Sequence, residues 1–317
     1  EYGGGYSQTM GTFAYNPATD PASWAAFQGQ NIPYYAADES WGPALDGRQA
    51  RHWDPWIPGH SDWGKTRAWS PNPNNIKNFF ETGMRSSTSL SFAKGGEDFS
   101  FRATARATNG TLPIPNAGRD TYDVNINTSL NATDKLTVYA SLNAKIQKTD
   151  NYVSSGYGSI QSNFSQWWQR QLDMDRLRDN YHVNGVFYTW NRRSARNARP
   201  QYWDAPHYEQ YQNTNNNKNS TYSGNFGLNY DIMDGLSANV EVKRRAYNRN
   251  NWNRGYIGQN TLSTQASYGE GSYVSETNEF AARLNYDTKI TSNFDLSAIV
   301  GYGTGQNIAQ STSASTS

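Results

Sequence analysis

Tryptophan is the residue type whose number and placement most invite a chemical reading of this chain. Trp53, Trp56, Trp63 and Trp69 lie among Pro55, Pro58, Gly59, Gly64 and Pro71, while Trp167, Trp168, Trp190 and Trp203 crowd a second stretch with Tyr202. Exposed aromatic faces stack on sugar rings or supply much of the energy of a protein interface, so these eight tryptophans are the candidate contacts for a substrate or partner. The competing expectation is that the two stretches pack on each other as small satellite cores. Titratable residues offer less. The four histidines, His52, His60, His182 and His207, are scattered. No His-Glu-x-x-His, calcium-loop, phosphate-loop or dinucleotide fingerprint is present. Asp173 with Asp175, or Glu276 with Glu279, could serve a glycosidase as acid and base, but spacing in sequence does not fix the separation that chemistry needs, and solvated loop charges are the expectation. The chain is therefore not expected to be an enzyme, and no metal or cofactor is expected.

The elements that must carry the tryptophans follow from composition and period. Of 317 residues, 35% are hydrophobic and only 17% charged, with 27 Gly, 22 Tyr and 11 Trp, so the polarity comes from Asn, Ser, Thr and Gln. Such a chain is too polar for one large aliphatic core and too weakly charged for a charged disordered segment. A net charge of +1 and the short basic clusters Lys243-Arg244-Arg245 and Arg192-Arg193 with Arg196 and Arg199 give no expectation of nucleic-acid binding. The absence of cysteine excludes a disulfide scaffold. No apolar run is long enough for a transmembrane helix, and the amino-terminal residues lack the basic and apolar regions of a signal peptide, which is expected to be missing from this chain.

Alternation with a period of two recurs in four hairpins. Leu90 and Phe92 lead through Lys94-Gly95-Gly96-Glu97 to Phe99–Ala107, and Tyr122–Leu130 turns at 131–135 into Leu136–Ile146. Tyr222–Ile232 turns near Asp234-Gly235 into Leu236–Val242, and Phe280–Tyr286 turns into Phe294–Tyr302. Turns within hairpins are short, whereas the links between them, at 109–119, 150–219 and 249–275, read as long loops. Short turns at one end and long loops at the other are the pattern of an antiparallel transmembrane β-barrel, with Val124, Ile126, Leu142, Leu228, Val240 and Leu284 on its lipid face. Phe92, Phe99, Tyr230, Tyr286 and Phe294 would form an aromatic girdle beside the turns. In the longest loop, Phe164, Trp168 and Leu172, spaced i, i+4, i+8 near Asp173, Asp175, Arg176 and Arg178, predict one short amphipathic helix.

Three landmarks then occur in order. Ser40-Trp41-Gly42-Pro43 is followed by Asp46-Gly47, Asn75-Ile76 by Phe79-Phe80 and Gly83, and Asn109-Gly110-Thr111-Leu112-Pro113 comes after a hairpin. Together they resemble SusC/RagA-like TonB-dependent outer-membrane transporters. Physically, Trp41-Gly42-Pro43 and Asp46-Gly47 are turn chemistry around a large ring: Pro restricts the backbone, Gly permits positive φ, and Asp bonds its own backbone. The resemblance implies a barrel of about 22 strands in the bacterial outer membrane, of which this chain supplies the early wall, with residues 36–83 as a signature-bearing loop and 150–219 as an extracellular loop. It also implies a plug and TonB-contacting segment outside this chain, a SusD-like lipoprotein partner, and an oligosaccharide or peptide cargo. Two other readings stay open: a complete small outer-membrane barrel with structural or adhesive loops, and a soluble β-sandwich that binds glycans.

Overall fold

The computed structural model describes residues 9–40, 42–153 and 155–316. Its main element is one antiparallel sheet of eight strands in sequence order. These are β1 (Arg85–Gly95), β2 (Phe99–Thr111), β3 (Gly118–Thr133) and β4 (Leu136–Asp150), then β5 (Thr214–Met233), β6 (Leu236–Gly255), β7 (Ser267–Thr291) and β8 (Phe294–Ser315). The four expected hairpins form in the expected register, with Tyr122 opposite Ile146 and Leu130 opposite Val138. β3/β4, β5/β6 and β7/β8 close on two-residue turns, each beside a register shift that leaves one residue of the incoming strand unpaired.

Period two gives this sheet two unlike faces. Following the register, one row runs Phe99, Leu130, Val138, Leu228, Val240, Ala282 and Tyr302, and the next runs Phe101, Thr128, Ala140, Phe226, Val242, Phe280 and Thr304. At the level of that second row the opposite face carries Arg102, Asn127, Ser141, Asn225, Lys243 and Glu279. There Asn225 donates to Glu241 at 2.8 Å and Lys243 pairs with Glu241 at 2.9 Å. A slip of one residue in any ladder would exchange the faces, so the pattern fixes the register. Val124, Ile126, Leu142, Leu228, Val240 and Leu284 share the apolar face, and Phe99, Tyr230, Tyr286 and Phe294 stand on it near the tight turns.

The sheet is an arc of barrel wall. Among the described residues β1 and β8 are edges with no ladder joining them, and the three other sheets are two-stranded ribbons. Eight strands therefore do not close into a small barrel, nor does a second large sheet cover the apolar face as in a sandwich.

Two sequence expectations are corrected. The connections are shorter than alternation suggested: β2–β3 is 112–117, β4–β5 is 151–213 and β6–β7 is 256–266, against the expected 109–119, 150–219 and 249–275. Strands continue where the pattern stops, Thr214–Thr221 pairing with Tyr247–Arg254 although both runs are Asn-rich and polar. Backbone ladders do not depend on side-chain polarity, and a strand with polar surroundings on both sides has no need to alternate. The single amphipathic helix is instead two, α1 (Ile160–Gln166) and α2 (Met174–Asn180). Asp173 starts α2 anew by capping it, accepting from the amides of Asp175 at 3.0 Å and Arg176 at 3.3 Å. Trp168 and Leu172 fall between the helices, both buried.

Residues 9–84 pack with 151–213 and 256–266 into a cap at the end of the sheet opposite the tight turns. A third helix, α3 (Pro206–Gln212), leads back into β5. Every buried hydrophobic residue described lies in this cap or in the 112–117 link, and none in the eight strands.

Candidate functional site

The cap's core accounts for most of the candidate tryptophans. Trp56 lies 5.0 Å from Trp24, 5.3 Å from Phe13 and 5.6 Å from Phe27, ring centre to ring centre. A second chain of edge-to-face contacts joins Phe79, Phe164, Trp168 and Trp190 at 4.9–5.6 Å. Pairs of this geometry add about 0.5–1.5 kcal/mol each beyond the area they bury. Trp53, Trp56, Trp69, Trp168 and Trp190 are thus core residues, each no more than 4% exposed, and Trp63 is half-buried against Phe27. Burial corrects the expectation of exposed, ligand-facing rings for the first five, while Trp63 keeps part of its surface open. Sequence could not distinguish the cases because these rings are covered at least in part by residues distant in the chain, Trp56 by Phe13 and Trp168 by Trp190 as well as by nearby Phe164.

Polar side chains hold the segments in place. Asn191 donates to the carbonyls of Tyr35, Ala36 and Ala37, each at 3.2 Å, and accepts from the amides of Tyr202 and Trp203. Arg192, also buried, donates to the carbonyl oxygens of Trp53, Ser194 and Ala195. Burial presses its guanidinium down to about 10.

Asp54, His60 and Asp62 come close enough to suggest a metal site. Their charge is already answered: Asp54 accepts from Arg67 at 2.7 and 3.1 Å and from Arg176 at 2.6 Å, and Arg176 also bonds Asp62 at 2.5 Å. Burial raises the Asp54 carboxyl, but the two guanidiniums outweigh it and the net shift is downward. The cluster is an ion network that pins the 54–67 segment to α2.

The signature loop is a turn clasped to a neighbouring ribbon. Asp46 accepts from the Arg48 amide at 3.1 Å and pairs with its guanidinium, and Gly47 takes φ +84°. Gly47 then donates to Trp69 O at 3.0 Å, Trp69 to Arg48 O at 2.8 Å, and the Trp69 indole to Pro43 O at 3.4 Å. The ring that the turn surrounds is Trp69. Trp41 lies outside the described residues, Ser40 is exposed, and Gly42 and Pro43 continue the loop. The other two landmarks meet each other. Glu81 donates to Pro113 O at 2.9 Å, and a Cβ on Gly83 or Gly110 would come within 3.1 Å of Thr111 O or 2.5 Å of Met84 O, so both glycines mark a close backbone crossing.

One large cleft opens in the cap, about 980 Å³ in volume. Trp167, half-buried, and Trp203, itself 9% exposed and packed in the core, line it with Tyr34, Tyr157 and Tyr202. Four carboxylates, which sequence reasoning did not single out as site residues, share the lining: Asp38, Glu39, Asp204 and Glu209. The loop before the signature brings the first pair, and the segment entering α3 brings the second. Asp38 accepts from the Trp203 indole at 2.7 Å, Asp204 from the Leu262 amide at 3.1 Å, and Glu209 from Asn213 at 2.7 Å. No Lys, Arg or His lines the cleft, and none of the four carboxylates has an ion-pair partner among the described residues. Burial, reinforced by the neighbouring Glu209 carboxylate, pushes Asp204 up to about 7, and burial also raises Asp38 and Glu209. Three polar atoms on lining side chains, Glu39 Oε2, Asn163 Nδ2 and Trp167 Nε1, are buried with no hydrogen-bond partner among the described residues.

No protein-family model matches the sequence, and no curated protein matches it. Among solved structures, the fold is similar to the RagAB peptide transporter, with a TM-score of 0.61 and 16% identity, covering 78% of this chain and 27% of that one. It is also similar to the RagAB peptide importer in the "closed-closed" state, with a TM-score of 0.57, 16% identity and coverage of 84% and 28%. The "open-open" state gives 0.54, 17%, and 76% and 26%. The chain thus spans about a quarter of the length of those chains. Likeness at this identity establishes the shared fold, an antiparallel β-barrel wall.

Proposed function

We propose that this chain forms part of the wall and the outward-facing cap of an outer-membrane barrel that imports oligosaccharides or peptides. The observation that carries this reading is the apolar face: a continuous row from Phe99 to Tyr302 across seven strands, in a sheet that contributes no described residue to the hydrophobic core. Water-soluble proteins rarely leave so continuous an apolar face uncovered, and hydrocarbon is a medium in which it is stable. The two sheet edges point the same way, because unpaired backbone groups in hydrocarbon cost several kcal/mol each and further strands must satisfy them. Energisation by TonB through a plug, and a SusD-like lipoprotein over the cap, complete the proposal. They are supported by the resemblance of the Ser40–Gly47, Asn75–Gly83 and Asn109–Pro113 landmarks and by the structural likeness to RagAB.

Cells carrying the gene in full, or lacking it, decide the matter through uptake of fluorescent peptides and oligosaccharides, measured with and without a protonophore to remove TonB energy. Uptake that depends on both the gene and the proton gradient supports the reading. Folded protein that partitions into the aqueous phase without detergent would overturn it.

A further inference from the structure

From the cleft we infer that the cap selects cargo carrying an organic cation, a primary ammonium or a guanidinium, next to a hydrogen-bond acceptor such as an amide carbonyl. The inference rests on the transport reading for its biological meaning, but the binding it describes is a property of the cap alone.

Charge is the first ground. Asp38, Glu39, Asp204 and Glu209 converge on one cleft with no cationic side chain among its lining residues. Several carboxylates elsewhere in the cap are answered by arginine: Asp20 by Arg196, Asp54 by Arg67 and Arg176, and Asp62 by Arg176. The cleft's four carboxylates have no such partner among the described residues, and a cation bound between them would draw even Asp204, whose proton burial favours, into its ionised form.

Polar groups left without partners are the second. Asn163 is 2% exposed, it lines the cleft, and its Nδ2 has no acceptor. Trp167 Nε1 likewise lacks an acceptor, and Glu39 Oε2 lacks a donor. A buried polar group without a partner costs about 1–3 kcal/mol, so an occupant that supplies one would recover that cost. Two orphan donors and an orphan carboxylate oxygen on the lining of one cleft ask for a ligand that is both a cation and an acceptor. A peptide segment with a basic side chain or a free amino terminus meets both demands, whereas a simple diamine meets only one.

The kind of cation follows from the walls. A divalent metal ion needs several carboxylate oxygens gathered within reach of one point. Among the described residues the only such gathering of three ligand groups is at Asp54, His60 and Asp62, outside this cleft. Spread carboxylates and aromatic rings, with Trp167, Tyr202 and Trp203 in the lining, instead suit a larger, softer charge that can lie over a ring face.

The test uses the full-length protein in detergent, with binding followed by calorimetry. Three probes are compared: Nα-acetyl-lysine amide, its uncharged isostere Nα-acetyl-norleucine amide, and 1,5-diaminopentane. The lysine derivative should bind at least tenfold more tightly than the norleucine derivative, with the diamine between them. Glu39→Gln together with Asp204→Asn should erase the difference between the charged and uncharged amides. Trp167→Phe keeps a ring but removes the N–H, and should weaken the lysine derivative while leaving the diamine unchanged. Tryptophan fluorescence and the protease resistance of the cap, unchanged in both variants, exclude misfolding as the cause. Equal binding of the two amides overturns the inference, as does calcium binding at the cleft that displaces the lysine derivative. Failure of gene-dependent uptake with cation selectivity intact would instead sink the transport reading and leave this site standing.

Discussion

Phe226 and Phe13 belong to the same chain, yet the first is 49% exposed on the sheet and the second 1% exposed in the cap. Around Phe226 the neighbours along the row are Ala140 and Val242, each as open as its position in a single layer demands. Around Phe13 the rings of Trp24, Phe27 and Trp56 close within 6.4 Å, and Arg196 covers the remaining face. The cap is organised as a water-soluble domain, with rings inside and charges paired at its joints. The wall has no inside. Its strands take their stability from ladders between backbones and from whatever medium meets the apolar face. If that medium is lipid, as proposed, two solvents meet on this one chain near the ends of the apolar alternation.

Asp54→Ala is the change expected to separate the two regions most sharply. It would leave Arg67 and Arg176 without the carboxylate that both bond, and breaking a buried ion network from one side costs about 3–5 kcal/mol. Limited proteolysis should cut the cap of this variant while strand content by circular dichroism holds. Simultaneous loss of both would show that cap and wall fold as one unit. Next in size is Leu228→Arg, set between Val138 and Val240 in the row that is apolar across seven strands. A charge near the midplane of the lipid face costs about 2–4 kcal/mol, to be read as folding free energy in liposomes. An unchanged value would remove Leu228 from lipid and with it the two-solvent account.

Much of the wall was legible in the sequence because a strand between unlike surroundings must alternate, and Tyr122–Ile146 or Tyr222–Val242 do so residue by residue. The outer halves of β5 and β6 were not legible, since Asn215–Asn217 and Asn250–Asn253 pair through the backbone alone and carry no periodic mark. In the cap, sequence located the tryptophans but not their burial. Whether Trp168 faces a ligand or a protein core depends on Trp190, and whether Trp56 does depends on Phe13, partners that spacing does not announce. The cleft carboxylates were hidden for the same reason, arriving from separate segments. Asp38-Glu39 just ahead of the signature, Trp203-Asp204 and Tyr208-Glu209, acidic residues beside aromatic ones or at the signature's edge, were the signal available.

A smaller effect should appear in the pH dependence of the cap. Asp54 and Asp62 are held below the ordinary carboxylate range by their arginines, Asp62 at about 2, so their contribution is full above about pH 4 and fades as pH falls toward 2. Asp204, raised to about 7, has the opposite sign: the fold favours its protonated form, and stability declines as pH climbs from about 4 through 7. The cap should therefore melt highest in mild acid. Asp204→Asn should flatten the alkaline limb and leave the acid limb alone, as followed by tryptophan fluorescence. A limb that stays steep would mean that another group, such as the neighbouring Glu209, carries the titration.

The smallest effect is expected at Arg48, and it bears on how the signature loop works. Arg48 and Asp46 form an ion pair whose side chains are each 43% exposed, and such pairs contribute little once water screens them. What the turn requires of position 48 is backbone: an amide that donates to Asp46 and a carbonyl that accepts from Trp69. Alanine keeps both. Arg48→Ala should thus leave cap melting and cargo uptake within error, whereas Gly47→Ala, forced to φ +84°, should lower cap melting. If Arg48→Ala abolishes uptake in a cap that melts normally, the loop is a contact surface for cargo or partner. Its residues would then be selected for what they touch and not for the turn they make.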